Sequence, residues 1–163
     1  MYIRNRIKEK DDSTLVSICT QNFEIPSSKI ENILNQAHEV LIVCEPNGKI
    51  AGFLSYRLRI NHMVLVDYVV LDHSVQGKGI ARKLLPAFES YVMKQGITTV
   101  YGMVDKENQQ GIESFKRLGF ETKGSFLTNY IIEKKLDQVK EITSNNLHLN
   151  VRKLSPVPKL GNR

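Results

Sequence analysis

The residue order predicts an α/β domain, a mixed and mostly antiparallel central sheet flanked by helices. Three observations predict it. Short apolar runs with strand character recur between Tyr2 and Lys135, four segments between them read as helices, and the unit from Met63 to Val104 reads strand–helix–strand. That last unit can lay two neighbouring strands parallel through a right-handed crossover, while short turns elsewhere favour antiparallel neighbours.

The first strand runs from Tyr2 to about Lys8, with Ile3 and Ile7 on one face. Asp11, Asp12 and Ser13 are N-cap candidates for a helix reaching about Asn22. Pro26-Ser27-Ser28 opens a second helix, with Ile30, Ile33, Leu34 and Ala37 at helical spacing. Val40 to Cys44 is a strand, Asn47-Gly48 a hairpin turn, and Ile50 to Leu58 the returning strand. Met63 to Leu71 is a third, nearly continuous apolar β run. A helix follows from about Gly79 to Lys94, with Pro86 predicting a local kink and Gly96 supplying the C-cap. Thr98 to Val104 is a strand, Asn108 to Leu118 a helix closed by Gly119, and Phe120 to Lys135 two last strands. Residues 1–136 therefore form one domain. Residues 137–163 form a basic C-terminal extension, expected to be partly disordered or packed on the domain.

Composition bounds the function. With 41% apolar and 25% charged residues the chain reads as an ordinary globular domain. No apolar stretch approaches the roughly 20 residues that span a bilayer, and the first residues hold no apolar core of a secretory signal. Cys19 and Cys44 are too few for a disulfide framework, and no cysteine or histidine cluster has metal-ligand spacing. The cytoplasm is the expected compartment, and no membrane partner is expected. The net charge is +6, and the extension contributes half of it through Lys140, Arg152, Lys153, Lys159 and Arg163 against Asp137 and Glu141. Such a tail is compatible with nucleic acid or the ribosome, but it lacks the aromatic residues that stack on bases.

The most informative segment is Val69-Val70-Leu71-Asp72-His73-Ser74-Val75-Gln76-Gly77-Lys78-Gly79-Ile80-Ala81-Arg82. A buried strand ends, and glycines open a helix whose first amides lack intrahelical partners. Those amides and the helix dipole make a receptor for a phosphate or diphosphate, and Lys78 and Arg82 add charge beside it. Two known phosphate motifs do not fit. The P-loop needs Ser or Thr where Gly79 stands, and the dinucleotide fingerprint needs Gly or Ala at Arg82.

Gln76-Gly77-Lys78-Gly79-Ile80-Ala81 resembles the diphosphate signature of the GNAT superfamily of acyl-CoA N-acyltransferases, Gln/Arg-x-x-Gly-x-Gly/Ala. The block Asn108 to Phe120 is similar to that family's Asn-x-x-Ala-x-x-x-Tyr-x-x-x-Gly-Phe block. The resemblance extends from Tyr2 to Leu136. It implies a splayed parallel strand pair, acetyl-CoA as co-substrate, and direct transfer of its acetyl group to a primary amine in a ternary complex. It also implies that the backbone of Val69, Val70 and Leu71 meets the pantetheine arm. Gln76, Gly77, Lys78, Gly79, Ile80, Ala81 and Arg82 would hold the diphosphate, and Asn108 and Phe115 would meet the coenzyme.

Asp67 is the candidate base, an acid inside the apolar run Val64 to Val69 that is costly to bury without a purpose. Pairing with Arg57 or Arg59 is the equal alternative, and Tyr68 is expected on the opposite face by strand alternation. Phe115 stands where many family members have a Tyr that protonates the departing thiolate. The thiolate would then leave without a side-chain acid, or Tyr101, Tyr130 or Ser114 would serve. A coenzyme-binding regulatory module with little catalysis is the alternative function. Gly111 replaces the usual Ala, a residue without a side chain where close approach of the coenzyme would explain it. His62 and His73 read as surface residues. The acceptor and the choice between monomer and homodimer are left open by the sequence.

Overall fold

The computed structural model describes residues 1–136. The strands are β1 (Tyr2–Asn5), β2 (Glu39–Cys44), β3 (Ile50–Ile60), β4 (Met63–Leu71), β5 (Thr99–Asp105), β6 (Glu121–Phe126) and β7 (Asn129–Lys135). The helices are α1 (Lys8–Asn22), α2 (Ser27–Gln36), α3 (Ile80–Met93) and α4 (Gln109–Arg117), with one 3-10 turn at His73–Val75. The strands form one sheet in the order β1-β2-β3-β4-β5-β7-β6, and only β4 and β5 run parallel. The expected mixed and mostly antiparallel sheet is present. The expected extension, residues 137–163, lies outside the described residues.

Helices cover both faces of the sheet. On one face Leu15 and Ile18 of α1 and Ile30 and Leu34 of α2 pack on Val40, Ile42, Phe53 and Val70. On the other, Phe88 and Val92 of α3 and Ile112 of α4 pack on Leu54, Tyr56, Val100, Val104 and Ile132. Each buried Val, Leu, Ile or Phe contributes roughly 1.5–3 kcal/mol, so these two layers clamp the sheet between them. A polar tie joins three elements on the second face, where the Glu39 carboxylate of β2 accepts from the hydroxyls of Tyr56 (β3) and Tyr91 (α3). The helix α3 runs unbroken through Pro86. Both cysteines, Cys19 on α1 and Cys44 on β2, are buried free thiols in the core between the first two helices and the sheet, and burial pushes Cys19 up to about 11.

The junction of β1 and α1 differs from expectation, and β3 runs on to Ile60 rather than ending at Leu58. The first strand ends at Asn5, Ile7 is the N-cap of α1 rather than a strand residue, and α1 begins at Lys8, so Asp11, Asp12 and Ser13 lie inside it rather than capping it. The aspartates are used for tertiary contacts instead. Arg4 donates to Asp11 in bidentate fashion at 2.7 and 2.8 Å, and Asp11 also accepts from the Ile7 N–H at 2.7 Å. Arg6 grips Asp12 the same way at 2.6 Å through each nitrogen, and donates to the Leu34 carbonyl of α2 at 2.8 Å. These two forks dock α1 and α2 against the sheet edge. Side-chain competition of this kind is why an Asp near a helix start does not by itself fix the first residue.

Asp11 is fully buried, and its Arg4 partner, with the Ile7 amide, holds its carboxyl below the usual carboxylate range. A depressed native value stabilises the fold above the unfolded range near ~4, and that stabilisation is lost as pH falls through the native value. Arg4→Ala is expected to cost about 3–5 kcal/mol near neutral pH, because it strands a buried carboxylate. Urea unfolding from neutral to acid pH checks this. The wild type should lose stability as the carboxyl is protonated, while the variant's curve should stay flatter below about pH 4.

Candidate active site

The parallel pair is short. Met63 pairs with Thr99, Val64 with Val100 and Leu65 with Tyr101, and beyond these residues β4 and β5 diverge. Each strand stays held on its outer side, β4 by β3 as far as Leu71 and β5 by β7 as far as Asp105. The inner edges of the fork are left unpaired. The Asp72 N–H donates to the Ala51 carbonyl on the β3 side, so by alternation the amides of Leu71 and Val69 point into the fork. A cleft of about 410 Å³ fills this fork, lined by Asp67, Val69, Met103, Asn108, Phe115 and Phe23 among others. Val69 is exposed there, whereas the side chain of Val70 is buried under α1 and α2 and, by the same alternation, its N–H and C=O turn to β3, so the expected contact of Val70 with a ligand has no polar group in the fork.

A bulge in the β3–β4 ladder shapes the cleft wall. Ser55 pairs with Tyr68 but Tyr56 pairs with Val66, which leaves Asp67 unmatched; the next pair, Leu58 with Leu65, leaves Arg57 unmatched. These two unmatched residues form an ion pair, Arg57 Nε to Asp67 Oδ2 at 2.7 Å. The bulge also reverses strand parity: Val66 packs on the α3 face, but Tyr68 packs on the α1 face. Simple alternation along β4 does not cross Asp67 intact. Arg59, the other expected partner, instead donates to Gln95 at 2.9 Å.

At the mouth of the fork, Gly77 and Gly79 adopt φ of 70° and 68°, the left-handed region, and a Cβ on either would meet nothing within 4 Å. Open space and reversed backbone leave room for a ligand to approach the main chain. Gly79 caps α3 without any side-chain hydrogen bond, so the first amides of α3 stay unclaimed by side chains. Ile80 is buried beneath the helix, while Ala81 and Arg82 are exposed and Ala81 lines the cleft. Lys78 and Arg82 have no acidic partner within 4 Å among the described residues. The Gln76 carboxamide turns inward: its Nε2 donates to Leu71 O at 2.8 Å and Asn22 Oδ1 at 2.6 Å.

On the opposite wall Asn108 caps α4, its Oδ1 accepting from the Gly111 N–H at 2.8 Å. A Cβ at Gly111 would lie 2.6 Å from Asn108 Nδ2. A side chain here would therefore force the capping Asn108 carboxamide to shift. Phe115 is half-buried, lines the cleft and meets Phe120 edge-on at 5.5 Å. Of the alternative acids, Tyr101 donates to Glu133 at 2.5 Å, which raises its phenol above the ordinary range and retains its proton. Tyr130 packs on the core under the Lys106 ammonium, and Ser114 is exposed at the cleft. His62 and His73 are exposed and bind the carbonyls of Gly96 and Gln21.

With open backbone at a helix start and a fork beside it, comparison with known proteins decides the family. Residues 9–120 match the model of the acetyltransferase (GNAT) family. The chain belongs to the GNAT acetyltransferase family. Its relatives include the uncharacterized N-acetyltransferase MJ1207 of Methanocaldococcus jannaschii, 30% identical over 56% of this chain and 43% of that protein. Acetyltransferase ECA0875 of Pectobacterium atrosepticum is 28% identical over 60% of this chain and 68% of that protein. The chain thus spans under half of the first relative's length. Among solved structures, PaiA N-acetyltransferase from Thermoplasma acidophilum in complex with coenzyme A superimposes with a TM-score of 0.64 at 21% identity. That match covers 83% of this chain and 99% of the other. Ard1 from Thermoplasma volcanium gives 0.67 at 17% identity, over 82% and 96%. Both show the GNAT fold.

Gly52 is a site-shaping residue that sequence reasoning missed. Its φ is 152°, and a Cβ there would fall 2.2 Å from the Val70 carbonyl oxygen and 2.9 Å from Leu71 Cα. A glycine inside an apolar strand was the available signal for such close approach. Gly52→Ala is expected to destabilise the GNAT domain by about 1–3 kcal/mol in urea unfolding, because β3 must back away from β4. Gly124→Ala on β6, where a Cβ meets nothing within 4 Å, is the control and should stay within about 0.5 kcal/mol of the wild type.

Proposed function

We propose that this GNAT domain moves the acetyl group of acetyl-CoA to a primary amine by direct transfer in a ternary complex. The observation that carries the reading is the fork between β4 and β5, running from the bulge at Asp67 to the open amides after Gly79. The amides of Val69 and Leu71 would pair with the pantetheine arm as a missing strand would. Gly77, Gly79 and the first amides of α3 would take the diphosphate, with Lys78 and Arg82 lending charge.

In the transfer the amine nitrogen attacks the thioester carbonyl carbon, the carbon–sulfur bond breaks, and the ammonium proton passes to a base. Asp67 is the carboxylate at the cleft wall for that role, directly or through water, and Arg57 fixes its orientation. Cys19 on α1 and Cys44 on β2 are both buried in the layer between the helices α1 and α2 and the sheet and neither lines the cleft, so neither offers it a thiol for an acyl-enzyme, which favours direct transfer. With Phe115 in the wall and Tyr101 engaged by Glu133, the thiolate departs without a phenol donor. A thiol with pKa near ~8.5 tolerates that.

The same two residues favour a second reading, an acetyl-CoA-binding regulatory module with little catalysis. The amine acceptor is not named by the cleft. No described helix is long and apolar enough to cross a membrane. The two free buried thiols accord with a cytoplasmic site, and the expectation of nucleic-acid or ribosome contact falls on residues 137–163, outside the described residues.

Calorimetry with coenzyme A and acetyl-CoA consumption with a panel of amines test the proposal. Coenzyme should bind, and Gly79→Ala should weaken it roughly tenfold, since an alanine at that φ carries about 1–2 kcal/mol of strain. At least one amine should be acetylated, and Asp67→Asn should lower kcat/KM by roughly 10²–10⁴. Binding without turnover on any amine, with activity appearing in Phe115→Tyr, would establish the regulatory reading instead. No binding at all would remove both.

A further inference from the structure

The C-terminus of α1 reaches the coenzyme loop through one side chain. Asn22, the last residue of α1, donates from Nδ2 to Ile18 O at 2.8 Å and to Leu71 O at 3.2 Å. Its Oδ1 accepts from Gln76 Nε2 at 2.6 Å, and that same nitrogen donates to Leu71 O at 2.8 Å. Three chain segments thus converge within one ring of hydrogen bonds: the end of α1, the end of β4 and the residue that opens the glycine loop. A neighbouring bond repeats the connection, His73 Nε2 to Gln21 O at 2.8 Å.

From this geometry we infer that Asn22 is a positioning residue for the coenzyme's diphosphate. The inference rests on the coenzyme-binding reading above, and it assigns Gln76 a task that its place in the signature does not reveal. Gly77 and Gly79 make the loop permissive: with φ near 70° and open space at both Cβ positions, nothing in their own packing fixes where the following amides aim. The residue before them must therefore be anchored if Ile80, Ala81 and Arg82 are to present their amides together. Gln76 is exposed, and exposed side chains hold one geometry only when a partner holds them. Asn22 is that partner, and it is itself fixed by the α1 carbonyl of Ile18. The ring also saturates the Leu71 carbonyl with two donors, so the end of β4 offers a ligand its amide rather than its oxygen. A preorganised loop binds without losing the entropy of ordering itself.

The experiment is calorimetry on the full chain with coenzyme A and with 3′-phospho-ADP, which carries the diphosphate but no pantetheine arm, alongside thermal unfolding. Asn22→Ala, Gln76→Ala and the double variant are compared with the wild type. Each single change should weaken both ligands by the same factor, roughly 3- to 10-fold for a lost neutral hydrogen bond. The double variant should be no weaker than the weaker single, because both changes break one ring. Gln76→Ala lies on an exposed loop and keeps the test open should Asn22→Ala unfold. A merely structural Asn22 would lower the unfolding midpoint and spare 3′-phospho-ADP, and that outcome overturns the inference. So do fully additive losses. Wild-type protein that takes up no coenzyme sinks the functional reading itself, whereas wild-type binding with Asn22→Ala unchanged sinks only the role of Asn22.

Discussion

Everything about the site depends on two parallel strands ceasing to pair. After Leu65 and Tyr101 the chain has backbone donors and acceptors in the middle of a seven-stranded sheet with no partner across the gap. Such groups are costly unless water or a ligand meets them. Each strand is held on its other side, β4 by β3 before and after the bulge and β5 by β7, and helices pack on both faces of the sheet. Phe88 and Val100 pack at the base of the fork, while Ala81, Phe115 and Leu118 line its walls. An extended ligand with alternating amides and carbonyls suits this gap as a strand suits a sheet edge.

The bulge at Asp67 belongs to the same design. By leaving one residue unmatched on each of β3 and β4, it reverses which face β4 presents, so Val66 serves the α3 layer and Tyr68 the α1 layer. An acid that regular alternation would bury among apolar neighbours instead reaches the cleft wall beside Arg57. The ion pair is half in solvent on the arginine side and contributes little to stability. Its consequence is orientation.

What the sequence made legible was local. Strand and helix positions follow from apolar periodicity, and β4 runs from Met63 to Leu71 as that periodicity predicts. The glycines at 77 and 79 are readable because positive φ before a helix has few other occupants. What escaped was set by partners distant in the chain. The start of α1 is hidden because Asp11 and Asp12 are gripped by Arg4 and Arg6, and Asp11 reaches back to the Ile7 amide from inside the helix instead of capping it from in front. The reason for Gly111 lies in the Asn108 side chain and that of Gly52 in the Val70 carbonyl, neither visible without the register. Asn22 gave no signal at all, since its partners are 49 and 54 residues away.

That division matches the proposed reaction. The segment proposed for the coenzyme is contiguous, the end of β4, its loop and the first turn of α3, as suits a diphosphate taken by amides that one helix start supplies. The rest of the cleft is assembled from elements brought together only by folding: Phe23 after α1, Met103 on β5 and the bulged Asp67. A motif can therefore announce the donor while the acceptor's chemistry stays dispersed along the chain. Asn22 links the two kinds of segment, bonded to the glycine loop and the end of β4 and standing one residue before Phe23, which lines the same cleft.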